Sequence, residues 1–242
     1  MTRSSPFAPQ SATGRLVLPL DVPTVAEARD LIAATKGAVG VYKIGMELQF
    51  AGGLDLAREL AGEGIDVFLD VKLLDIDNTI ASAVRNIARM GVRFVTLHAY
   101  PKTMRAAVTA LEDTGVTDLC LLGVTVLTSM DEADVTAAGY GKPVRDLVTS
   151  RAADARAAGM GGLVCSPLEA PLVRPLVGEE LVIVTPGVRP AGSDHGDQKR
   201  VMTPADAIRA GSDYLVIGRP ISRAADPRRA AEAIVEEIAS AL

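Results

Sequence analysis

Three charged side chains, Asp70, Lys72 and Asp75, follow the apolar run 67–69. Side chains on a β-strand alternate between its two faces, so Asp70 and Lys72 point to one face while the apolar residues between and beside them point to the other. This pattern indicates helices on the outer face and chemistry on the inner one, with Thr79 or Asn78 as the N-cap of the next helix. An isolated Asp-x-Lys pair is often only a structural ion pair, so the rest of the chain decides between the two interpretations.

Short apolar runs alternate with amphipathic segments from Arg15 to the end of the chain. Parallel strands need crossover connections, so strands that alternate with helices indicate a parallel sheet. Eight such units without a break in composition predict an α/β fold, a single (β/α)8 TIM barrel over residues 15–242, after a flexible tail at 1–14. An open doubly wound sheet is the alternative, but no Gly-x-Gly-x-x-Gly motif follows the first strand. The predicted strands are 16–21, 39–45, 66–72, 94–99, 119–127, 162–166, 181–187 and 214–218, and the predicted helices are 24–36, 54–61, 80–90, 102–111, 144–158, 167–176, 204–210 and 227–241.

Polar residues at the strand ends are the candidates for chemistry, because barrels place their active sites at the C-terminal ends of the strands. Asp21 follows the first predicted strand, Lys43 lies on the second, and Asp70 and Lys72 lie on the third. The apolar residues of these strands occupy the opposite face, so the four charges are expected to enter the same end of the barrel. Charges of alternating sign in one confined site favour a functional role. The other polar residues at strand ends are His98, Thr125, Thr128, Ser166, Arg189 and Arg219.

Glycine and arginine occur together after the last two predicted strands, as Gly187 with Arg189 and as Gly218 with Arg219. Barrels commonly bind phosphate with these two loops, where glycine lets backbone N–H groups approach the oxygens and arginine supplies a bidentate fork. The segment that follows Arg189 is long and polar, and such loops are usually lids or disordered segments. We predict a lid that closes over phosphate, with Gln198 directed inward.

The composition restricts the class of protein. The chain has 242 residues, 48% of them apolar, and a formal net charge of −5. The negative charge argues against a nucleic-acid or anionic-membrane surface, and no run is long enough to span a membrane. No signal peptide is apparent, and Cys120 and Cys165 lie in apolar runs, so we expect buried thiols in the reducing cytoplasm. Two histidines without a nearby cluster of cysteines and carboxylates predict no metal site.

A longer pattern extends through the chain: Asp21, Lys43, Asp70-x-Lys72-x-x-Asp75-Ile76-x-Asn78-Thr79, Thr128, Pro186-Gly187-Val188-Arg189 and Gly218-Arg219. In this order and spacing, these residues resemble those of the orotidine 5′-phosphate decarboxylase family. The resemblance covers nearly the whole chain from Leu16 onward. The chain departs from the family at Leu73-Leu74, where Phe-His or a similar pair is common, and at Asp77, where Pro is usual. Neither position is among the four charged residues Asp21, Lys43, Asp70 and Lys72, so the departures concern the shape of the loop.

The resemblance implies decarboxylation of orotidine 5′-phosphate to UMP, the last step of de novo pyrimidine nucleotide biosynthesis, without a metal or cofactor. Fixed charges must then stabilise the carbanion at C6, because no cofactor withdraws its electrons. On the family's pattern, Lys72 is the cation and proton donor at C6, Asp70 lies against the substrate carboxylate, and Lys43 completes the charge network. Asp75, with Thr79 beside it, would come from the partner subunit of a homodimer. The remaining implied contacts are Asp21 and Lys43 to the ribose hydroxyls, Thr128 to the pyrimidine, and Arg189, Gln198, Gly218 and Arg219 to the phosphate.

Two alternatives stay open. A Mg²⁺-dependent sugar-phosphate enzyme of the same superfamily, of the hexulose-phosphate synthase or ketogulonate-phosphate decarboxylase type, shares Asp-x-Lys-x-x-Asp. Those enzymes have a Glu shortly after it, where this chain continues Ile76-Asp77-Asn78-Thr79. The other alternative is a catalytically silent barrel that binds a phosphate ligand. The intact set of Asp70, Lys72 and Asp75 argues against it, because a binding module has no need of opposed charges.

Overall fold

A closed barrel of eight parallel strands forms the centre of the molecule. The computed structural model describes residues 5–190 and 202–242. Each strand pairs with the next one along the chain, and the last pairs with the first. The strands are β1 (Leu16–Pro19), β2 (Val41–Ile44), β3 (Asp66–Leu73), β4 (Phe94–His98), β5 (Cys120–Val124), β6 (Gly162–Val164), β7 (Val182–Pro186) and β8 (Tyr214–Val216). The predicted (β/α)8 TIM barrel is confirmed.

Helices surround the barrel and connect its strands. They are α1 (Val25–Thr35), α2 (Met46–Leu48), α3 (Leu54–Gly62), α4 (Asp77–Ala88), α5 (Pro101–Glu112), α6 (Glu132–Ala137), α7 (Val144–Ala157), α8 (Ala170–Val177), α9 (Pro204–Arg209), α10 (Arg219–Ser222) and α11 (Pro227–Ala239). The short helices α2, α6 and α10 follow β2, β5 and β8 and were not predicted from the sequence. Within the described residues, no helix combines the length and the apolar character needed to cross a membrane.

The two faces of the strands pack into separate apolar layers. Leu16, Leu18 and Leu20 of the first strand region, with Tyr42 and Ile44 of β2, pack in the layer between the barrel and the helices. This is the facing predicted for the first two strands. The inner layer fills the barrel and comprises Val17, Val41, Phe68, Phe94, Cys120, Leu122, Val182, Val184, Tyr214 and Val216. Because this layer closes the barrel from within, only the strand ends remain available for a site.

The start of α4 differs from the prediction. The helix begins at Asp77, and its N-cap is Ile76 rather than Asn78 or Thr79. Ile76 has an extended backbone, and the Asp75 carboxylate accepts a hydrogen bond from its N–H at 2.6 Å. The chain therefore turns into the helix before Asn78, so Asn78 and Thr79 lie inside the first helical turn.

Residues 5–14 contact the N-terminal end of the barrel. The backbone N–H of Ser5 donates to the carbonyl of Glu179 at 2.9 Å, and the Tyr214 hydroxyl donates to the carbonyl of Phe7 at 2.7 Å. The Arg93 guanidinium lies 5.0 Å from the centre of the Phe7 ring. The flexibility expected of residues 1–14 stays a prediction, but these contacts attach the segment from Ser5 onward to the barrel.

Candidate active site

A cleft of about 540 Å³ opens at the C-terminal ends of the strands. Of the side chains predicted to act there, Asp21, Lys43, Asp70, Lys72, Thr128, Arg189 and Arg219 line it, as do Gly187 and Gly218. The fold therefore brings together residues that lie on six strands or just beyond them and are far apart in the sequence. Their roles in chemistry stay predictions at this point.

Asp21, Lys43, Asp70 and Lys72 form a row of alternating charge. Lys43 Nζ lies 3.4 Å from both Asp21 Oδ1 and Asp70 Oδ2, and Lys72 Nζ lies 2.8 Å from Asp70 Oδ1. The side chains of Lys43 and Asp70 are only 10% and 13% exposed. Charge interactions are stronger away from bulk water, so the ion pair between Lys43 and Asp70 at the centre of this row is stronger than a pair on the surface.

Asp70 is held in its ionised form. Burial would raise the pKa of this carboxyl, but the charges of Lys43 and Lys72, with hydrogen bonds from Lys72 and Thr96, outweigh it and lower the pKa. Thr96 Oγ1 donates to Asp70 Oδ1 at 2.8 Å. Asp70 therefore carries a full negative charge between two ammonium groups at neutral pH.

Lys72 has an unusual backbone conformation. Its φ of 50° lies in the left-handed region that residues other than glycine seldom adopt. The pairing of β3 with β4 changes register between Leu69 and Leu73, which marks a local irregularity around Lys72. The Lys72 N–H donates to Thr96 Oγ1 at 3.0 Å. Backbone strain of this kind occurs where surrounding contacts hold a residue in place, and Thr96 supplies that contact here.

Sequence reasoning missed Thr96, Glu47 and Arg223. Thr96 is buried on β4 and precedes His98 by two residues, so the alternation that identified His98 would also have placed Thr96 on the inner face. Glu47 and Arg223 line the cleft from α2 and from the residue after α10. Their only sequence signal is their position shortly after a strand end.

Arg189 and Arg219 lie beyond β7 and β8, across the barrel from β3. The Arg189 side chain is buried, and Nη1 donates to the carbonyl of Val188 at 2.9 Å. Gly187 has a φ of 82°, which glycine adopts without strain. A Cβ on Gly218 would lie 2.8 Å from Pro19 Cγ, so β1 leaves no room for a side chain there. These loops thus bring two guanidinium groups and close-packed backbone to one wall of the cleft, as an anion site requires.

Two of the predicted residues do not line this cleft. Asp75 and Thr79 are exposed and do not line it. Gln198, with the rest of the proposed lid at 191–201, lies outside the described residues. Throughout 5–190 and 202–242, no group of three or more His, Cys, Asp or Glu side chains is arranged to hold a metal ion.

Comparison with known proteins identifies the family. Residues 14–234 match the family described as "Orotidine 5'-phosphate decarboxylase / HUMPS family". The chain belongs to this family. One similar solved structure is the crystal structure of orotidine 5′-phosphate decarboxylase from Lactobacillus acidophilus, whose sequence is 33% identical to this chain. The two structures superimpose with a TM-score of 0.81 over 92% of this chain and 98% of that chain. An uncharacterized conserved protein from Geobacillus kaustophilus is 32% identical, with a TM-score of 0.78 over 92% of this chain and 99% of that one.

Membership of the orotidine 5′-phosphate decarboxylase / HUMPS family supports a decarboxylase that binds a small phosphorylated substrate. The match extends over the whole barrel, so it includes every element that contributes to the cleft. The resemblance noted in the sequence is confirmed at the level of the family. The particular reaction depends on the cleft.

Proposed function

We propose that the chain converts orotidine 5′-phosphate to UMP and CO₂ without a metal or cofactor, as the last step of pyrimidine nucleotide biosynthesis. The observation that carries the proposal is the row of Asp21, Lys43, Asp70 and Lys72 in a cleft that also contains two arginines. A reaction without an electron-accepting cofactor needs fixed charges of this kind.

The chemistry requires a cation at the reacting carbon. When the bond between C6 and the carboxylate breaks, CO₂ leaves and the electron pair stays on C6. The Lys72 ammonium stabilises this developing charge, donates a proton to C6 and later regains one from water. Asp70 pairs with the Lys72 ammonium and would lie beside the substrate carboxylate, where like charges disfavour the ground state. Enzymes as a class lower such barriers by about 8–23 kcal/mol, and here the row of fixed charges is the proposed source.

The other side chains would bind and orient the nucleotide. In this proposal Asp21 and Lys43 bind the ribose hydroxyls, and Thr128 hydrogen-bonds the pyrimidine. The phosphate is bound by Arg189, Gln198, Gly218 and Arg219. The phosphate is remote from C6, but the energy of binding it can drive closure of the proposed lid after Arg189. In this way phosphate binding can contribute to the chemical step.

We further propose a homodimer with shared active sites, in which Asp75 and Thr79 complete the site of the partner. Both residues are exposed and lie outside the cleft of their own chain. The segments that follow β2 and β3 expose several apolar side chains, with Phe50 91% and Ile76 72% exposed. Contiguous exposed apolar patches mark interaction surfaces, and in this proposal a second copy of the chain covers these side chains.

The decisive experiment is turnover in the absence of metal. Purified protein is treated with EDTA, mixed with orotidine 5′-phosphate, and followed by the loss of substrate absorbance and by product analysis. We expect full conversion to UMP at the same rate with and without the chelator. No turnover of orotidine 5′-phosphate with or without added Mg²⁺ would refute the proposed reaction, and turnover restored only by Mg²⁺ would refute the metal-free mechanism.

The alternatives are less favoured. The Mg²⁺-dependent enzymes carry a Glu after their Asp-x-Lys-x-x-Asp motif, and residues 76–79 of this chain contain none. A silent binding barrel has no need of a buried carboxylate between two ammonium groups, because such an arrangement carries a desolvation cost. The cytoplasmic location stays a prediction from Cys120 and Cys165, which are both buried and unpaired.

A further inference from the structure

Tyr100, Tyr140 and Arg151 form a cluster beside the cleft, here named the Arg151 clamp. The Arg151 guanidinium lies 5.0 Å from the ring centre of each tyrosine. Arg151 Nη2 donates to the Tyr140 hydroxyl at 2.9 Å, and the two tyrosine hydroxyls are hydrogen-bonded to each other. A guanidinium between two aromatic rings gains cation–π energy from both, and its planar shape fixes their relative positions.

The clamp joins three segments that the sequence keeps apart. Tyr100 is the N-cap of α5, Tyr140 lies between α6 and α7, and Arg151 is on α7. The Tyr140 hydroxyl accepts a hydrogen bond from Arg151 and shares one with the Tyr100 hydroxyl. The hydrogen bond between the two tyrosines lowers the pKa of Tyr140 and raises the pKa of Tyr100. Hydrogen bonds to the Tyr140 hydroxyl thus connect all three segments.

The clamp is connected to the wall of the cleft through Thr125. Arg151 Nη1 donates to the backbone carbonyl of Thr125, the first residue after β5. Thr125 Oγ1 in turn donates to the carbonyl of Val164 at 2.9 Å, which anchors it to β6. The next residues, from Val126 to Thr128, line the cleft. Arg151 thus holds the backbone at Thr125, three residues before Thr128, and is not itself among the residues that line the cleft.

The proposed phosphate end of the cleft is formed by other loops than the one that the clamp contacts. Arg189 and Arg219 lie after β7 and β8, and the clamp makes no hydrogen bond to either of these loops within the described residues. A change at Arg151 would therefore displace the wall that contains Thr128 and leave the arginines in place. A mutation that displaces a substrate-binding group by only about 1 Å can lower the reaction rate about 100-fold, even when the mutated residue does not contact the substrate.

We propose that Arg151 is a positioning residue for recognition of the pyrimidine base. It holds the loop after β5 in the conformation that presents Thr128, with Tyr100 and Tyr140 as its supports. This inference rests on the proposed function, because it assigns the base to the Thr128 wall. It goes beyond that proposal by separating recognition of the base from recognition of the phosphate.

The test compares two ligands that differ by the base. Arg151→Met removes the charge and the hydrogen bonds but retains an unbranched side chain that replaces the aliphatic part of arginine. We expect the Kd for UMP and the KM for orotidine 5′-phosphate to rise about tenfold, while the Kd for ribose 5-phosphate changes less than twofold. Arg151→Lys, which retains a cation and one donor, is expected to recover part of the UMP affinity. Arg156→Met is the matched control, because Arg156 is on the same helix and pairs with the exposed Glu180.

Each outcome is decisive. Unchanged UMP affinity in Arg151→Met, or an equal loss for UMP and ribose 5-phosphate, would overturn the positioning role. If Arg151→Met does not fold, Tyr140→Phe removes only the accepting hydroxyl, and it is expected to raise the Kd for UMP about threefold without affecting ribose 5-phosphate. A wild-type protein that does not decarboxylate orotidine 5′-phosphate would refute the proposed function, and one that is active while these variants bind UMP normally would refute only the inference.

Discussion

The replacement Thr96→Val tests whether the charged row depends on a side chain that carries no charge. Valine has nearly the same shape as threonine, so the replacement removes the hydroxyl and little else. Thr96 is 1% exposed, donates to Asp70 Oδ1 at 2.8 Å and accepts from the Lys72 N–H at 3.0 Å. A hydrogen bond to a charged group contributes about 1.5–3 kcal/mol and a neutral one about 0.5–1.5 kcal/mol, so the expected loss of folding free energy is about 2–4.5 kcal/mol.

The effect on activity should exceed what lost stability explains. Without Thr96 Oγ1, the left-handed backbone of Lys72 loses a hydrogen bond that holds it, and Asp70 loses a donor that lowers its pKa. We expect kcat to fall about 100-fold at a temperature where the variant is fully folded, because the ammonium is no longer aligned. Urea unfolding gives the stability, and turnover of orotidine 5′-phosphate gives kcat.

Two further variants make the result interpretable. Thr35→Val is the control, because Thr35 is also buried and its hydroxyl bonds to Leu31 and Tyr42 in the outer layer, away from the cleft. It should cost about 1–2 kcal/mol of stability and leave kcat unchanged. Thr96→Ser should restore most of the activity, since it restores the hydroxyl. A kcat of Thr96→Val within twofold of the wild type would refute the reasoning.

Three other predictions concern the same segment. Lys72→Ala should lower kcat by at least about 100-fold with an unchanged circular dichroism spectrum, since general acid catalysis contributes about 10²–10⁴; near-normal turnover would exclude Lys72 as the proton donor. Inactive Lys72→Ala and Asp75→Ala chains, when mixed, should regain partial activity through hybrid dimers, and no recovery despite measured subunit exchange would contradict shared sites. The lowered pKa of Asp70 stabilises the fold above its usual pKa of about 3.9, and this stability is lost as pH falls through the lower folded value. Urea midpoints measured through this acid range should fall more steeply for the wild type than for Asp70→Asn, and parallel curves would contradict the assignment.

The barrel could be predicted because its signals are local and repeated. Thr24 and Thr203 cap α1 and α9 at the starts of the predicted helices 24–36 and 204–210, and each accepts a hydrogen bond from the backbone N–H three residues later. The alternation of Leu16, Leu18 and Leu20 predicted the outer face of the first strand correctly. Once the fold was a barrel, the strand-end rule placed the charged residues in one cleft, because all parallel strands end at the same side.

The contacts that depend on distant parts of the chain could not be predicted in the same way. Thr96 meets Asp70 only because β4 lies beside β3 with an irregular register, and a sequence does not specify that register. The Arg151 clamp joins residues on separate helices and loops, so no periodic pattern marks it. The helix start at Asp77 depended on the Asp75 carboxylate accepting the nearest N–H, which competed with the expected cap at Asn78 or Thr79.

The two carboxylates of the Asp-x-Lys-x-x-Asp motif have different environments, and geometry explains why. Asp70 lies on β3 between two ammonium groups, whereas Asp75 lies beyond the end of that strand and accepts the N–H of its neighbour Ile76. A strand advances about 3.3 Å per residue, so β3 carries the chain away from the Asp70–Lys72 pair before Asp75 is reached. Asp75 is therefore outside the row of charges of its own chain. If both carboxylates act on one substrate, the second must come from a neighbouring chain, which is why we infer that this segment serves two active sites.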